Sequence, residues 1–296
     1  MKIVFLGTGS MQPTKERNLS CIYINYDSEH ILFDCGEGTQ RQLKIAGLKA
    51  PKITRILISH YHGDHILGLG GILKTLEAND YNKTLYIYGP KGLENFYNNI
   101  INSAYKGKGI KTKLIELKEG IIIDEKNFQI EAKKLEHSVP CYGFSLIEKE
   151  KIKINLDYLK KFNLKQHPLI GELQKGKDIT YEGKKISHKK ATYKIKGKKL
   201  TIIYDTAYCN QAIALAKDSD LLISEATFSK QEKDKAKEYK HLTSEEAATI
   251  AKKAKAKRLI LTHFSQRYKD VSILKKEAKK IFSKTETAED FLEVNF

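Results

Sequence analysis

Apolar positions along this chain fall into short runs that alternate between two spacings. Residues 2–6, 21–26 and 30–34 are apolar or β-branched runs with a turn at Asp27-Ser28-Glu29, which predicts three strands. Residues 38–48 carry helical spacing. Residues 53–59 contain no Pro or Gly and read as a buried strand. Apolar positions 66, 67, 69, 72, 73 and 76 then predict a helix to about residue 77. A strand over 84–88 closes at Gly89-Pro90, and a helix follows over about 91–104. Strands are predicted at 112–116, 121–123, 128–134 and 143–147. After an interruption the rhythm resumes: strand 200–204, helix 210–217, strand 220–223, helix 243–254, strand 258–262, helix 270–283 and strand 291–295. Strands followed by helices in both halves predict two sheets packed together with helices outside.

The interruption, residues 151–199, changes the picture. It holds one Pro, four Gly and a single short apolar helix, Leu156 to Phe162. So little core-forming content predicts a segment that projects from the body or lies along its surface. It also carries 15 Lys against Asp157, Glu172, Asp178 and Glu182, a net +11 in 49 residues. The whole chain carries +17, and 48 of its 53 basic residues are Lys. A generally Lys-rich composition would spread that charge. Its concentration in one segment points to a polyanionic partner, RNA or DNA before membrane.

The 296 residues allow one large domain or two small ones. No run approaches the ~20 apolar residues of a membrane span. The apolar run in Met1–Gly7 is too short for a signal peptide and reads as the first strand. Cys21, Cys35, Cys141 and Cys209 form no paired motif, which predicts free thiols in a reducing cytoplasm.

The chemistry is concentrated at residues 60–65, His-Tyr-His-Gly-Asp-His. His60, His62, Asp64 and His65 are four metal-competent side chains on one strand-to-helix loop. Imidazole with carboxylate suits zinc and its neighbours among the divalent metals. A structural zinc would rather use thiolates, and no Cys lies nearby. Three more metal-competent residues stand where predicted strands stop: His137, Asp205 and His263. Each alone reads as an ordinary polar terminus; beside the cluster they read as ligands. Seven ligands exceed the needs of one catalytic zinc. They suit two metals ~3.5–4 Å apart, the arrangement that phosphodiester hydrolysis exploits.

The chain resembles the metallo-β-lactamase superfamily in this His-x-His-x-Asp-His motif and the later His, Asp and His at strand ends. Within it the chain resembles the short-form tRNase Z family, which trims the 3′ ends of tRNA. The likeness runs through Phe5-Leu6-Gly7-Thr8-Gly9-Ser10, Pro13-Thr14-Lys15-Glu16-Arg17-Asn18, and Phe33-Asp34-Cys35-Gly36-Glu37-Gly38-Thr39-Gln40. It continues at His137-Ser138-Val139-Pro140, Asp205-Thr206, Glu225-Ala226-Thr227-Phe228, His241, and Leu261-Thr262-His263-Phe264-Ser265-Gln266-Arg267-Tyr268.

The resemblance implies a four-layer αββα sandwich as one domain over 1–296, with 151–199 as an inserted, protruding basic arm that grips tRNA. It implies two Zn2+ per chain, with Mn2+ or another divalent metal as substitutes. His60, His62 and His137 would hold one metal; Asp64, His65 and His263 the other; Asp205 would bridge them. Asp64 would also orient or deprotonate the attacking water. His241 and Glu225 would relay a proton to the leaving oxygen. Read from the residues alone, His241 is the start of a helix, because Thr243-Ser244-Glu245-Glu246 is a capping sequence. Lys15, Arg17, Asn18 and Arg267 are implied substrate contacts. The implied partners are precursor tRNA and a second copy of the chain, with no membrane. Two other readings stand beside this one: a different phosphodiesterase or hydrolase of the superfamily, and an RNA-binding protein without catalysis.

Overall fold

The computed structural model describes residues 1–103 and 107–296. Two seven-stranded sheets form its centre. The first runs, in spatial order, Glu293–Asn295, Lys2–Gly7, Cys21–Tyr26, Glu29–Phe33, Arg55–Leu57, Leu85–Gly89 and Thr112–Glu116. The second runs Thr285–Thr287, Leu259–Thr262, Leu221–Glu225, Lys199–Ile203, Cys141–Glu148, Phe128–Leu135 and Gly120–Asp124.

Strand Lys2–Gly7 illustrates why the layers stack as they do. Both of its faces are buried. Ile3 and Phe5 enter the layer between the sheets with Ile22, Ile24 and Phe33, opposite Ile130, Phe144 and Ile202. Val4 and Leu6 turn outward and are covered by Leu43, Leu69, Ile72 and Leu76 from helices Thr39–Ile45 and Leu69–Ala78. Helices Asn210–Ala216, Ser244–Lys253 and Ser272–Ile281 cover the far face of the second sheet. Sheets covered on both faces read as continuous apolar runs. Each fully buried large side chain stabilises the fold by about 1.5–3 kcal/mol. The chain is therefore a four-layer αββα sandwich, as the sequence predicts.

Two differences in the elements bear on function. The helix expected from residue 66 is split into Gly63–Ile66 and Leu69–Ala78. The break sits at Gly68, whose N–H donates to the Cys35 carbonyl at 2.9 Å. A Cβ at Gly68 would lie 2.1 Å from the Gly36 carbonyl oxygen. The close approach welds the His-rich loop to the end of strand Glu29–Phe33. The helix predicted over 91–104 is Leu93–Asn102, and residue 104 lies outside the described residues. Strand Thr285–Thr287, helix Lys233–Tyr239 and the short parallel pair Gly9–Ser10 with Phe264–Ser265 escaped the sequence pattern.

The basic segment leaves and re-enters through a stalk. Lys151–Ile154 pairs antiparallel with Thr192–Ile195, in the register Ile154 opposite Thr192. Beyond the stalk lie helices Leu156–Lys160, Leu169–Gln174 and His188–Ala191 and a hairpin of Ile179–Tyr181 with Lys184–Ile186. The expectation of little core content needs correction. Leu159, Leu164, Leu173, Ile179, Ile186 and Ala191 are buried in a cluster of their own. Asp157, Glu172 and Asp178 are paired inside the segment, with Lys160, with Lys175 and Lys177, and with His188.

Candidate metal centre

Strand direction brings the chemistry together. Lys199–Ile203, Leu221–Glu225 and Leu259–Thr262 run parallel, so their C-terminal ends share one edge of the second sheet. Phe128–Leu135 is antiparallel to Cys141–Glu148, which is antiparallel to Lys199–Ile203. It therefore ends at the same edge. Asp205, Glu225, His263 and His137 all arise there. From the first sheet, strand Arg55–Leu57 delivers His60, and the parallel Glu29–Phe33 delivers Asp34. Ligand sites at the carboxyl ends of parallel strands are general to α/β sheets.

All seven predicted ligands converge. His60, His62, His137 and Asp205 offer ligand atoms within 4.8 Å of one another, and so do Asp64, His65 and His263. Asp205 stands between the groups. Its Oδ2 lies 3.4 Å from both His60 Nε2 and His65 Nε2 and 3.7 Å from His137 Nε2, and its Oδ1 lies 3.2 Å from His263 Nε2. Asp64 Oδ2 is 3.4 Å from the Nε2 atoms of His65 and His263. His62 turns Nδ1 inward, 3.1 Å from His60 Nε2 and 3.2 Å from His137 Nε2.

The outward nitrogens are held elsewhere. His60 Nδ1 meets Ser59 Oγ at 2.9 Å, and His65 Nδ1 meets Asp34 Oδ2 at 2.6 Å. His137 Nδ1 meets the Lys240 carbonyl at 3.0 Å, and His263 Nδ1 meets Thr227 Oγ1 at 3.0 Å. Such outer partners fix the tautomer and aim of a metal-binding imidazole. Sequence reasoning gave no role to Asp34, Thr227 or Lys240. Asp34 and Thr227 lie inside the segments Phe33–Gln40 and Glu225–Phe228, yet only contacts across the fold reveal what they do. Asp34 is fully buried and also accepts from Ser59 N at 2.7 Å and Ser59 Oγ at 2.8 Å.

This donor set fits divalent cations. Among the described residues, Asp205 Oδ1 is buried and makes no hydrogen bond, although His263 Nε2 lies 3.2 Å away, an expensive state for a carboxylate. Burial opposes charge on His65, yet Asp205, Asp34 and Asp64 push its pKa well above the usual value. The pocket thus demands positive charge at its centre. Burial, reinforced by His65, holds His60 down at about 4, which keeps it a neutral donor. Tyr204 packs edge-on against His65, ring centroids 5.4 Å apart.

His241 occupies the rim. Its Nδ1 lies 3.0 Å from Glu225 Oε1, and its Nε2 faces Asp205 Oδ2 at 3.9 Å. Burial lowers its pKa, but Glu225 and Asp205 outweigh that and hold it at about 9. The helix start is Thr243, whose hydroxyl accepts from Glu246 N while the Glu246 carboxylate accepts from Thr243 N. Capping and the Glu225 contact thus coexist, two residues apart. An open cleft of about 600 Å³, lined by Leu135–Pro140, Ala207 and Lys240, adjoins His137.

The four other predicted residues lie outside the cluster. Lys15 is exposed. Arg17 is buried, with its guanidinium donating to the Tyr268 carbonyl and standing over the Phe264 ring. Asn18 Nδ2 donates to the Glu37 carbonyl at 2.8 Å. Arg267 is exposed, pairs with Glu232 and covers the Phe228 ring. The described cysteines are free and buried. No helix among the described residues is long and apolar enough to cross a membrane.

The chain is similar to several known proteins. Residues 1–167 match the family described as anti-Pycsar protein Apyc1, and residues 175–264 match a β-lactamase superfamily domain. A curated ribonuclease Z of Nanoarchaeum equitans is 42% identical over 90% of this chain and 84% of its own length. Those of Bacillus cereus and Ignicoccus hospitalis are 38% and 36% identical, over 98% and 99% of this chain and 97% of theirs. The crystal structure of human short-form tRNase Z is 32% identical, with a TM-score of 0.71 over 100% of this chain and 99% of that one. The metallo-β-lactamase fold protein YhfI of Bacillus subtilis superposes with a TM-score of 0.72 at 23% identity, a likeness of fold alone.

Proposed function

Because the chain belongs to the ribonuclease Z family, a family of phosphodiester hydrolases, we propose that it removes the 3′ trailer from precursor tRNA. The observation that carries this reading is the pairing of His241 with Glu225 beside seven convergent ligands. His60, His62 and His137 would hold one cation, Asp64, His65 and His263 a second, and Asp205 both. Zn2+ is the proposed ion, with Mn2+ or another divalent metal as substitutes. When bound, two such ions make water nucleophilic at neutral pH and withdraw charge from the phosphate.

The protein's own groups account for the remaining steps. Asp64 orients the attacking water and takes its proton. The water oxygen bonds to phosphorus while the bond to the 3′ oxygen breaks. His241, held protonated by Glu225, gives its proton to that leaving oxygen. The tRNA keeps a 3′-hydroxyl and the trailer a 5′-phosphate. Arm residues 151–199 contribute phosphate contacts through Lys side chains, and Lys15, Arg17, Asn18 and Arg267 serve the substrate near the centre. With Arg17 buried, its part is to shape the loop that carries Lys15. The working form is a cytoplasmic homodimer.

A phosphodiesterase of this fold acting on a small substrate would have no use for a +11 arm. The test is incubation with a 3′-extended precursor tRNA and mapping of both ends. Cleavage after the mature 3′ end, with the stated termini, is expected. Intact RNA beside rapid hydrolysis of a small phosphodiester would replace this reading with the other.

A further inference from the structure

Asp290 lies outside the metal centre, near the end of the chain, and the mechanism above does not use it. Its carboxylate is mostly buried and accepts four hydrogen bonds. Oδ1 accepts from Thr8 N at 3.0 Å and Thr8 Oγ1 at 2.7 Å. Oδ2 accepts from Asn18 N at 2.7 Å and Gln42 Nε2 at 3.0 Å. Thr8 and Asn18 are the two ends of one loop, closed further by Gly9 N donating to the Asn18 carbonyl at 2.8 Å. A single carboxylate therefore pins both feet of the loop to the body.

The loop reaches the centre at one point. The Met11 N–H donates to Asp64 Oδ2 at 2.8 Å. Met11 adopts φ 62°, a left-handed conformation uncommon outside glycine, although its side chain is 71% exposed. No packing of that side chain explains the strain. A turn does: Gln12 N donates to the Ser10 carbonyl at 2.7 Å. Strained backbone at a functional site persists only where its surroundings hold it. Here the holders are Asp290 and the pairing of Gly9–Ser10 with Phe264–Ser265, directly after His263.

We propose that Asp290 is a positioning residue for Asp64, acting through the 8–18 loop, with the Met11 amide as the group that aims the carboxylate. Among the described residues, the other groups that face Asp64 as donors are the imidazoles of His65 and His263. The Met11 amide thus fixes Asp64 at Oδ2, the oxygen that also faces His65 and His263, whereas Asp34 and Thr227 hold their rings from the opposite nitrogen. Loss of such an outer partner costs about 10–100-fold in metal affinity or activity.

The inference rests on the metal-centre reading, so its test begins with Zn2+ affinity, measured by chelator competition on the full-length protein. Asp290→Ala and Met11→Pro are each expected to weaken one of the two bound Zn2+ by at least about tenfold and leave the other unchanged. Met11→Pro deletes the N–H and, because proline fixes φ at about −65°, also breaks the left-handed turn, but the position is exposed and the core is left intact. Met11→Gly keeps the N–H, suits the positive φ and should preserve most of the affinity. The double variant Asp290→Ala/Met11→Pro should be no weaker than the worse single one, because both cut the same link. On precursor tRNA both variants should lower kcat, and Asp290→Ala should also raise KM, because the loop it releases carries Lys15 and Asn18. Unchanged Zn2+ affinity in Met11→Pro, or additive losses in the double variant, would overturn the proposal. A wild-type protein that binds two Zn2+ yet leaves tRNA intact would sink the functional reading alone.

Discussion

The metal centre and the basic arm solve recognition in opposite ways. In the centre, side chains from residue 60 to residue 263 converge within a few ångströms, most of them buried. His60, His65, His137 and His263 are each held from behind by a second partner. In the arm, the Lys side chains from 151 to 198 are exposed, and the acids Asp157, Glu172 and Asp178 are paired within the segment. The centre depends on geometry, so single changes there are severe and non-additive. The arm, as a proposed phosphate-binding surface, would depend on summed charge, so its changes should be graded and sensitive to salt.

The largest expected effect tests the centre. Asp64→Ala should leave less than about a tenth of the cleavage rate, since it removes a proposed ligand that is also the proposed group acting on water. tRNA affinity should stay near wild type, because the residues proposed to bind phosphates lie elsewhere. Single-turnover cleavage and equilibrium binding on the same preparation check both halves. A fall in affinity matching the fall in rate would blur the division between the regions.

His241→Ala comes next. The ring is not among the seven ligands, so both metals should remain while cleavage slows by ~10²–10⁴-fold, the usual contribution of a placed general acid. Metal analysis beside the rate decides it. Loss of a metal would make His241 a ligand, the alternative that its 3.9 Å approach to Asp205 raises.

The two regions also differed in how far the sequence disclosed them. Residues 60–65 sit in one six-residue run, and His137, Asp205 and His263 each follow an apolar strand, so one-dimensional pattern finds them. Their supports do not follow any pattern. Asp34, Thr227 and the Lys240 carbonyl act on rings 31, 36 and 103 residues away. The arm failed for a different reason. Apart from Leu159 in the short apolar helix Leu156 to Phe162, its core residues are scattered singly among polar and charged positions, and only folding back gathers Leu159, Leu173 and Ile186. The two-residue pairing of Gly9–Ser10 with Phe264–Ser265 is too short for any period to register.

Removing the arm gives the third test. Ile154 and Thr192 are cross-strand partners, so a short turn can replace residues 155–191 without disturbing the stalk register. That deletion removes nine Lys and all four acids of the segment. The body should fold, bind metal and hydrolyse bis(p-nitrophenyl) phosphate as well as the parent does. Affinity for tRNA should fall, and the slope of log K against log salt should become shallower by ~0.7–0.9 for each phosphate that the shortened protein no longer neutralises. An unchanged slope would reduce the arm to a solvated loop and leave the centre without a long-range partner.

The smallest effect separates the arm's charge from its shape. Leu173 is fully buried in the arm's own cluster, so Leu173→Ala removes packing there and no charge. Truncating a buried Leu costs about 2–5 kcal/mol, enough to open so small a core. Hydrogen exchange should then quicken at the hairpin Ile179–Ile186, while amides of Lys199–Ile203 keep their protection. tRNA affinity should fall, by less than on deletion, because the lysines remain tethered near the RNA, and the salt slope should stay close to wild type. Affinity equal to wild type with a melted hairpin would mean that charge alone serves the arm. Faster exchange across the second sheet as well would mean that arm and body unfold as one unit, and the contrast between them would no longer hold.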